Sequence, residues 1–585
     1  MTAGVLGNIE VHGTPTARVA AAYRRIAEVD RPEVWITLRA EADVAAEAAG
    51  VEQRLAAGES LPLAGVLVAV KDNIDVAGLP TTAACPEFAY TAEVTAMAIE
   101  RLVAAGALVL GKTNLDQFAT GLVGTRSPYG AVRHAHDPEL ISGGSSSGSA
   151  VAVALGIADV GIGTDTAGSG RVPAALHGIV GIKLTLGIIP AHGVVPACAD
   201  YDAVTVFATD LDSAVASAAV MAGPEPRDPR SRSWPADVPL AAPQTIRLAV
   251  PRPEDLVTLS DSYRDAFART VSAVTSAGIT TEEVDISGML DAALLLYDGA
   301  IVAERYAAVG TFLDTAPASA DPTVTAIIDA ARATTGPGFA ADLDTLARAK
   351  AAAAVTLQGF AGLLLPTTTE HPSIAAVQAD PFGINRRMGT FTNFCNLLDM
   401  AAVAVPGQST ATGAPFGVMV VTPAFADQVA VDIAARIIGK DNAPTLIEDG
   451  VDLAVFGAHL RGQPLHWQLE GIGARFTGEV RTTDAYRLTA LDTTPAKPGL
   501  VRLGPGLGAP ILGELFRVSA AGLGRFLAAL PAPMALTSVE LSDGRAVIGF
   551  ACTYDAVGTA TDITSYGSWK AYLQHPTMRS STGSR

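Results

Sequence analysis

Short apolar runs alternate with alanine-rich stretches between about residues 62 and 406, and this alternation constrains the fold more than any other feature. The runs have the residue preferences of strands, and the stretches between them have those of helices. The strand-like runs are residues 65–70, 107–110, 160–162, 247–250, 363–365 and 401–405. Strands that alternate with helices in this way predict an α/β domain with a mixed, mostly parallel central sheet surrounded by helices.

A chain of 585 residues is too long for one ordinary hydrophobic core. The pattern changes near residue 440, where the sequence DNAP at 441–444 predicts a turn. We therefore predict a first domain at 1–440, a linker at 441–453 and a smaller α+β domain at 454–574. The smaller domain has strand-like runs at 476–481, 485–491 and 536–554, with Pro-Gly turns predicted at Pro498 and Pro505. The polar end at 575–585 is predicted to be disordered.

Composition limits the partners that the chain can bind and its expected location in the cell. The net charge of −19 argues against nucleic acid and anionic membranes, because contacts to phosphates need clustered Lys and Arg. No apolar run reaches the roughly 18 residues of a membrane span, and the start has no basic stretch followed by an apolar one. A cytoplasmic location is therefore expected. The four cysteines are scattered, so neither disulfides nor a structural zinc site is expected.

Two glycine-rich turns carry serines that can form one nucleophilic site. They are GGSSSGS at 143–149 and GTDTAGSGR at 163–171. A hydroxyl that attacks an amide carbonyl needs a proton acceptor and free backbone N–H donors, which glycine-rich turns expose. Lys71 ends a strand-like run, where desolvation favours a neutral amine that can act as a base. Each feature alone is typical of a loop or a solvated strand end, and only their joint occurrence predicts a catalytic site.

Phosphate binding is the main alternative for glycine-rich segments. GALVLGKT at 106–113 matches the phosphate-loop pattern, but residues 107–110 between its glycines are apolar and strand-like. A phosphate loop follows its strand and begins a helix, so we interpret this match as a strand. Asp165, in the second serine turn, is predicted to be a buried acceptor that pairs with Arg171 and keeps the turn rigid.

Lys71 and the two serine turns together resemble the amidase signature family, whose members cleave amides with a Ser-Ser-Lys triad. The resemblance implies the amidase-signature fold, with Ser169 as the nucleophile and Lys71 as the base. It also implies that Ser145 is the bridging serine and follows a cis peptide bond from Gly144. The remaining positions that it implies are an oxyanion hole made by the backbone N–H groups of Thr166, Ala167, Gly168 and Ser169, and a backbone contact of Gly121 to substrate.

Three further stretches, at 113–130, 393–401 and 457–465, resemble the allophanate hydrolases within that family. This resemblance implies hydrolysis of allophanate, which is urea-1-carboxylate, to ammonia and carbon dioxide by a homodimer without metal or cofactor. It assigns Tyr297 and Arg305 to the substrate carboxylate, which a phenol and a planar guanidinium can bind. If residues 294–305 are helical, both side chains face roughly the same way. His459 is implied as a base that assists decarboxylation of the first product.

Several alternatives stay open at this point. A broad-specificity aliphatic or aryl amidase would share the triad but would need no anion-binding pair. A glutaminase subunit of a tRNA amidotransferase would need partner subunits, and the acidic charge and the second domain argue against it. A non-catalytic binding module is disfavoured because Lys71, Ser145 and Ser169 are all present. Tyr297 and Arg305 also fit a packed tyrosine and a surface ion pair, and the domain of His459 also fits a role in dimer assembly.

Overall fold

The computed structural model describes residues 12–558 and 560–575, which form two compact units. The first unit comprises residues 12–234 and 245–446, and the second comprises 235–244 together with the described residues from 447 onward. The segment 235–244 is sequence-distant from the rest of its unit but bonds to it, since Leu240 N donates to Gly473 O at 2.9 Å. The domain boundaries and the linker inferred from the sequence stay predictions. Residues 576–585 of the predicted disordered tail lie outside the described residues.

The first unit consists of a large sheet with helices around it. Its strands are β1 (Trp35–Leu38), β2 (Leu67–Lys71), β3 (Pro80–Thr81), β4 (Tyr90–Thr91), β5 (Leu108–Thr113), β6 (Val160–Asp165), β7 (Val180–Lys183), β8 (Ala203–Ala208), β9 (Arg247–Pro251), β10 (Thr280–Val284), β11 (Gly362–Pro366), β12 (Met400–Pro406) and β13 (Gly417–Pro423). Its helices are α1 (Pro15–Val29), α2 (Glu41–Ala56), α3 (Met97–Ala104), α4 (Ser147–Ala154), α5 (Val172–His177), α6 (Leu211–Met221), α7 (Asp261–Ser276), α8 (Ser287–Leu294), α9 (Ala303–Leu313), α10 (Pro322–Asp329), α11 (Gly336–Thr356), α12 (Ile374–Ala379), α13 (Gly383–Met388), α14 (Asn393–Leu397) and α15 (Asp427–Ile437).

Eleven of these strands form one mixed sheet in the order β1-β5-β2-β6-β8-β7-β12-β13-β11-β9-β10. Pairing is parallel within β5-β2-β6 and within β11-β9-β10, and it is antiparallel between the other neighbours. Each of the six strand-like runs in the sequence overlaps a strand of this sheet. The predicted α/β fold with a mixed central sheet and surrounding helices is confirmed, but six of the ten neighbouring strand pairs are antiparallel, so parallel pairing is less dominant than the sequence predicted.

The central strands are buried along their whole length, which brings a helix very close to the sheet. Every residue of β2, β6 and β8 is buried, and α4 packs on both β2 and β6. A Cβ atom added to Gly161 of β6 would lie only 2.7 Å from the carbonyl oxygen of Ser149 in α4. Glycine at 161 therefore permits the close approach that holds the turn before α4 against the sheet.

The segment 106–113 contains strand β5, which covers residues 108–113, as interpreted from its apolar residues. Strand β5 includes Lys112, whose side chain is completely buried and lies 3.3 Å from the Asp72 carboxylate. The same ammonium group donates to Thr81 Oγ1 at 3.0 Å. Lys112 is thus engaged inside the protein, and the segment does not begin a helix as a phosphate loop would.

The second unit is a smaller α+β unit, as predicted. Its strands are β14 (Val451–Val455), β15 (Arg475–Arg481), β16 (Tyr486–Leu491), β17 (Lys497–Arg502), β18 (Leu512–Val518), β19 (Met534–Glu540), β20 (Ala546–Cys552) and β21 (Thr561–Asp562), and its helices are α16 (Trp467–Glu470), α17 (Ala520–Ala528) and α18 (Trp569–Gln574). Five strands form one sheet in the order β15-β18-β14-β20-β19, and three form another in the order β17-β16-β21.

Two local predictions in this unit need correction. The run 536–554 is an antiparallel hairpin of β19 and β20 rather than one strand, because residues 541–545 form a turn between them. Pro498 lies within β17, opposite Ala490, and not in a turn. Proline is tolerated there because β17 is an edge strand, where a missing N–H need not break a ladder bond. Among the described residues, no helix is both long and apolar enough to cross a bilayer.

Candidate active site

The topology of the sheet brings three sequence-distant side chains to one edge. Lys71 is the last residue of β2, and the turn that carries Ser169 follows β6, which is the parallel neighbour of β2. The carboxyl ends of parallel strands meet at the same edge of a sheet. Ser145 lies in the turn just before α4, which packs on both strands. The predicted base and both predicted serines therefore converge.

These three side chains form a continuous hydrogen-bonded chain. Lys71 Nζ lies 2.8 Å from Ser145 Oγ, and Ser145 Oγ lies 3.0 Å from Ser169 Oγ. The peptide bond between Gly144 and Ser145 is cis, as the resemblance implied. Lys71 and Ser145 are completely buried, whereas Ser169 keeps a small exposed fraction of 3%. Protons can therefore pass between the amine and the outer hydroxyl through one intermediate oxygen.

Burial controls the charge of the amine. It lowers the pKa of Lys71 from 10.5 to about 7, although attraction to the Asp116, Asp202 and Asp165 carboxylates raises it. A large fraction of neutral amine is thus present near neutral pH, as the sequence predicted. Lys71 Nζ also donates to Thr164 Oγ1 at 2.7 Å, which directs the amine toward the serines. Thr164 was not singled out from the sequence, although it lies within the second serine turn.

The predicted pairing of Asp165 with Arg171 is confirmed. The two carboxylate oxygens accept from Nε and Nη2 of the guanidinium, each at 2.9 Å, and both side chains are completely buried. Asp165 also accepts from the backbone N–H groups of Gly168 and Gly170, each at 2.9 Å. Burial raises the pKa of this carboxyl, but the guanidinium and the N–H donors outweigh burial and lower it overall. The turn that carries Ser169 is therefore built around one carboxylate.

This arrangement corrects one part of the predicted oxyanion hole. The Gly168 N–H group points at Asp165 Oδ1 and is therefore not free to stabilise an oxyanion. In the part of the chain that the structure describes, the N–H groups of Thr166, Ala167 and Ser169 donate to no protein acceptor. The available donors are these three, because a group already bonded to a carboxylate contributes nothing further.

A second carboxylate, on the half-buried Asp202, supports the same turn from the other side. The Thr166 hydroxyl donates to Asp202 Oδ1, and the Asp202 carboxylate also accepts from the N–H groups of Ala197 and Cys198 at 2.8 and 3.1 Å. Asp202 immediately precedes β8, so the antiparallel pairing of β8 with β6 places it beside the turn. Its place in the sequence gives no signal of this role, because the contact depends on strand pairing.

Tyr297 and Arg305 meet, but not on one helix as expected from the sequence. Helix α8 ends at Leu294 and α9 begins at Ala303, and the segment between them turns. Arg305 Nη2 nevertheless donates to Tyr297 Oη at 3.3 Å, and the guanidinium carbon lies 4.9 Å from the centroid of the tyrosine ring. Tyr297 also lines a cavity of about 440 Å³ in the first unit. The turn therefore brings the Tyr297 and Arg305 side chains into contact, as two turns of a helix would have done.

Arg305 is a buried cation without a close counter-charge. Its exposed fraction is 1%, and Nη1 donates to Thr120 Oγ1 at 3.0 Å. Its Nε atom is buried and has no hydrogen-bond partner among the described residues. Within those residues, no carboxylate oxygen lies within 4.0 Å of the guanidinium. Burial of a charge without a close counter-charge is costly, and a bound anion would offset that cost.

Gly121 lies one residue beyond Thr120, against a buried carboxylate. A Cβ atom added to Gly121 would lie 2.6 Å from Asp116 Oδ2, so a side chain cannot be accommodated without movement. Gly121 is thus close to the residue that contacts Arg305, and its predicted backbone contact to substrate stays a prediction.

His459 lies in the second unit, where it lines a cavity of about 460 Å³ together with Lys497. Its Nε2 lies 2.8 Å from Gln468 Oε1, and its ring stacks on Phe550 with centroids 4.7 Å apart. Desolvation lowers the pKa of this imidazole, although the hydrogen bond to Gln468 raises it. The second unit therefore has a pocket in which an imidazole with a lowered pKa lies near the Lys497 side chain.

The described residues contain no cluster of three or more His, Cys, Asp or Glu side chains that could hold a metal ion.

The fold and the Ser-Ser-Lys arrangement define the class of this protein. The chain belongs to the amidase family, whose pattern matches residues 17–431, and it is a hydrolase of the amidase signature type. Residues 451–574 match the family described as allophanate hydrolase C-terminal domain.

Individual relatives agree with this family membership. The chain is 40% identical over 575 residues to urea amidolyase from Lachancea kluyveri, a match that covers 92% of this chain and 31% of that protein. Urea amidolyase from Saccharomyces cerevisiae is 39% identical over 553 residues, which cover 88% of this chain and 30% of that protein. The chain is also 37% identical to the structure of Kluyveromyces lactis allophanate hydrolase, with a TM-score of 0.86 and coverage of 96% of this chain and 97% of that one.

The chain spans about a third of the length of the urea amidolyases that it matches. Its resemblance to allophanate hydrolases, inferred from three short stretches, is confirmed by similarity across both units.

Proposed function

We propose that this chain hydrolyses allophanate, with Ser169 as the nucleophile. The observation that carries the proposal is the buried Arg305 guanidinium, which has no carboxylate partner within 4.0 Å among the described residues and contacts Tyr297 and Thr120 instead. Allophanate differs from a neutral amide by a carboxylate next to the scissile group. A guanidinium and a phenol offer the donors that such a carboxylate needs.

The reaction begins at the hydrogen-bonded chain. The neutral Lys71 amine accepts the Ser145 proton, Ser145 Oγ accepts the Ser169 proton, and Ser169 Oγ attacks the amide carbonyl. The N–H groups of Thr166, Ala167 and Ser169 stabilise the negative oxygen of the tetrahedral intermediate. The leaving nitrogen takes the proton back and departs as ammonia, which leaves an ester between Ser169 and the carboxylated carbonyl fragment.

Water then attacks the ester. Ser145 and Lys71, which form the proton relay, assist this attack as they assisted the first, and an N-carboxylated carbamate is released. This product loses carbon dioxide and then yields a second ammonia and a second carbon dioxide. Both steps use the proton relay, whereas Tyr297 and Arg305 act when the substrate carboxylate binds, so Lys71 is expected to affect mainly kcat and Arg305 mainly KM.

A test compares ammonia release from allophanate, biuret, malonamate and glutamine. We expect allophanate to be the best substrate, since it alone combines a scissile urea amide with a carboxylate. Arg305→Lys loses the planar fork, so KM for allophanate is expected to rise about tenfold to a hundredfold while hydrolysis of neutral amides is spared. Equal losses on both kinds of substrate would contradict the assignment of Arg305.

Arg332→Lys is a matched control for that variant. Arg332 also lies over a tyrosine ring, 4.8 Å from the centroid of Tyr306, but it is exposed and paired with Asp314. Its replacement removes a guanidinium–tyrosine contact of the same kind outside the site, so KM for allophanate should not change.

The comparison of substrates also tests the alternative functions. Glutamine as the preferred substrate would favour the amidotransferase-type glutaminase, and good activity on neutral amides alone would favour a broad-specificity amidase.

The second unit is proposed to assist decarboxylation of the N-carboxylated carbamate, with His459 as a base. The support is the pocket that His459 shares with Lys497, whose exposed fraction is 8%. An ammonium group in a largely apolar pocket suits a dicarboxylated product, and the low imidazole pKa keeps the base unprotonated. In His459→Ala, the first ammonia should appear at the normal rate while the N-carboxylated carbamate persists longer, as followed by carbon-13 NMR. Lys570→Met, which removes an ammonium group paired with Glu514, serves as the control.

An unchanged lifetime of this intermediate in His459→Ala would assign the second unit a structural role instead. A cytoplasmic location and a homodimeric assembly stay predictions from the sequence and the family resemblance.

A further inference from the structure

The loop after β5 closes around a single buried carboxylate. Asp116 Oδ2 accepts from the N–H groups of Val123 and Gly124 at 3.1 and 2.9 Å, and Oδ1 accepts from Arg126 N at 3.0 Å. The loop is also closed by its own backbone, since Gln117 N donates to Arg126 O at 2.7 Å. The Asp116 side chain is completely buried. The path of residues 117–126 therefore depends on this carboxylate.

The same carboxylate packs against the turn that carries the bridging serine. A Cβ atom added to Gly144 would lie 2.0 Å from Asp116 Oδ2, so the oxygen rests directly on the Gly144 backbone. Asp116 N also donates to Ser145 O at 3.2 Å. Asp116 thus contacts the backbone on both sides of Ser145, at Gly144 and at the Ser145 carbonyl group.

The other end of the loop contacts the anion-binding pair. Thr120 Oγ1 accepts from Arg305 Nη1 at 3.0 Å, and Thr120 O accepts from Arg126 Nη1 at 3.0 Å. Arg126 N is one of the three groups bound to Asp116. A short series of contacts therefore leads from Ser145 through Asp116 and its loop to Arg305.

We propose that Asp116 is a positioning residue that couples the serine relay to the Arg305 anion-binding site. The carboxylate fixes the Ser145 turn and the Thr120 loop relative to each other, so the scissile carbonyl meets Ser169 when the substrate carboxylate is bound at Arg305. The part that concerns Arg305 rests on the proposed function, and the part that concerns the relay does not.

The pKa of Lys71 gives a test of the relay part of the proposal that does not depend on allophanate binding. Three carboxylates face Lys71: Asp116 from the loop after β5, Asp165 from the end of β6 and Asp202 from the start of β8. Asp116 is the strongest of the three in raising the pKa of Lys71 against burial. The nearby Asp72 carboxylate is paired with Lys112. Loss of the Asp116 charge therefore lowers the pKa of Lys71, and the neutral base persists to lower pH.

The experiment uses the full chain and two measurements. Phenylmethanesulfonyl fluoride labels Ser169 when the relay removes its proton, since the serine oxygen bonds to sulfur, fluoride leaves and the proton passes to Lys71. The labelling rate against pH reports the relay without allophanate, and KM for allophanate reports the anion site. Asp116→Asn keeps the shape but loses the charge and places an NH2 group against N–H donors.

We expect Asp116→Asn to shift the acid limb of the labelling profile to lower pH and to raise KM for allophanate about tenfold or more, since hydrogen bonds to a charged group are lost. Asp427→Asn is the matched control: its carboxylate is buried and binds the backbone N–H and hydroxyl of Thr185, at 2.7 and 2.6 Å, away from Lys71. This control should move neither the limb nor KM.

If Asp116→Asn folds and the acid limb of its labelling profile is not shifted, the proposed effect of Asp116 on the relay is wrong. If its KM for allophanate is unchanged, the proposed coupling between the relay and Arg305 is wrong. If Asp116→Asn does not fold, Asp116→Glu keeps the charge but lengthens the side chain, and it should raise KM while leaving the limb near its normal pH. An unchanged KM in that variant also overturns the coupling. If the wild-type chain labels normally but releases no ammonia from allophanate, the proposed function fails while the shift of the limb still tests Asp116.

Discussion

The cost of burying the catalytic amine leads to a prediction about stability. Lys71 is completely buried, and its pKa is about 7 instead of its ordinary 10.5. That difference corresponds to about 5 kcal/mol of bias against the charged form. The unfolded chain binds a proton at Lys71 that the folded chain releases between about pH 7 and 10.5, so the stability of the wild type rises with pH across this window.

Lys71→Met removes this linkage because methionine has a similar volume and no charge. Activity should be lost, while the free energy of unfolding at about pH 7 should exceed that of the wild type by up to about 4 kcal/mol from the proton term alone. At about pH 9.5 most of the preference of the unfolded chain for the proton has gone, and the proton term falls to about 1 kcal/mol. The sharpest expectation is therefore the change between the two pH values, about 3 kcal/mol, because packing differences cancel from it.

Urea unfolding of both full-length chains at the two pH values, followed by circular dichroism, measures this change. A titration of wild type against Lys71→Met should show the same group directly, with one proton released near pH 7. If the stability difference is the same at both pH values, the amine is not held at a low pKa, and the proposed neutral base loses its physical basis.

Three further substitutions test the surroundings of the relay. Asp165→Ala leaves the buried Arg171 unpaired, so the free energy of unfolding should fall by about 3–5 kcal/mol and kcat should fall with little change in KM; an unchanged kcat would remove the role of this pair. Thr164→Val removes the acceptor for Lys71 Nζ, so kcat should drop about tenfold or more in steady-state assays, and normal kcat would show that the amine is positioned without it. Gly121→Ala forces a methyl group against Asp116, so KM for allophanate should rise, and an unchanged KM would show that the path of this loop does not affect substrate binding.

The candidate site was predictable where it depends on local pattern. Lys71, Ser145 and Ser169 are recognisable because a strand-like run and two glycine-rich turns are local features of the sequence, and the pairing of Asp165 with Arg171 joins residues only six positions apart. Thr164, Asp202 and Asp116 were missed because their contacts depend on strand pairing and loop closure. The role of Gly168 was misassigned because the direction of one N–H group depends on a carboxylate three residues earlier.

The amino-acid sequence by itself determined where strands form, which turns expose serines and which lysine ends a buried strand, because residue preference and periodicity act over a few positions. Only the tertiary structure decided that Tyr297 meets Arg305 across a turn, that residues 235–244 join the second unit, and that Arg305 is buried without a carboxylate within reach. These features arise from packing between segments far apart in the chain. Burial, which sets both the pKa of Lys71 and the cost of an unpaired guanidinium, exists only once those segments have packed together.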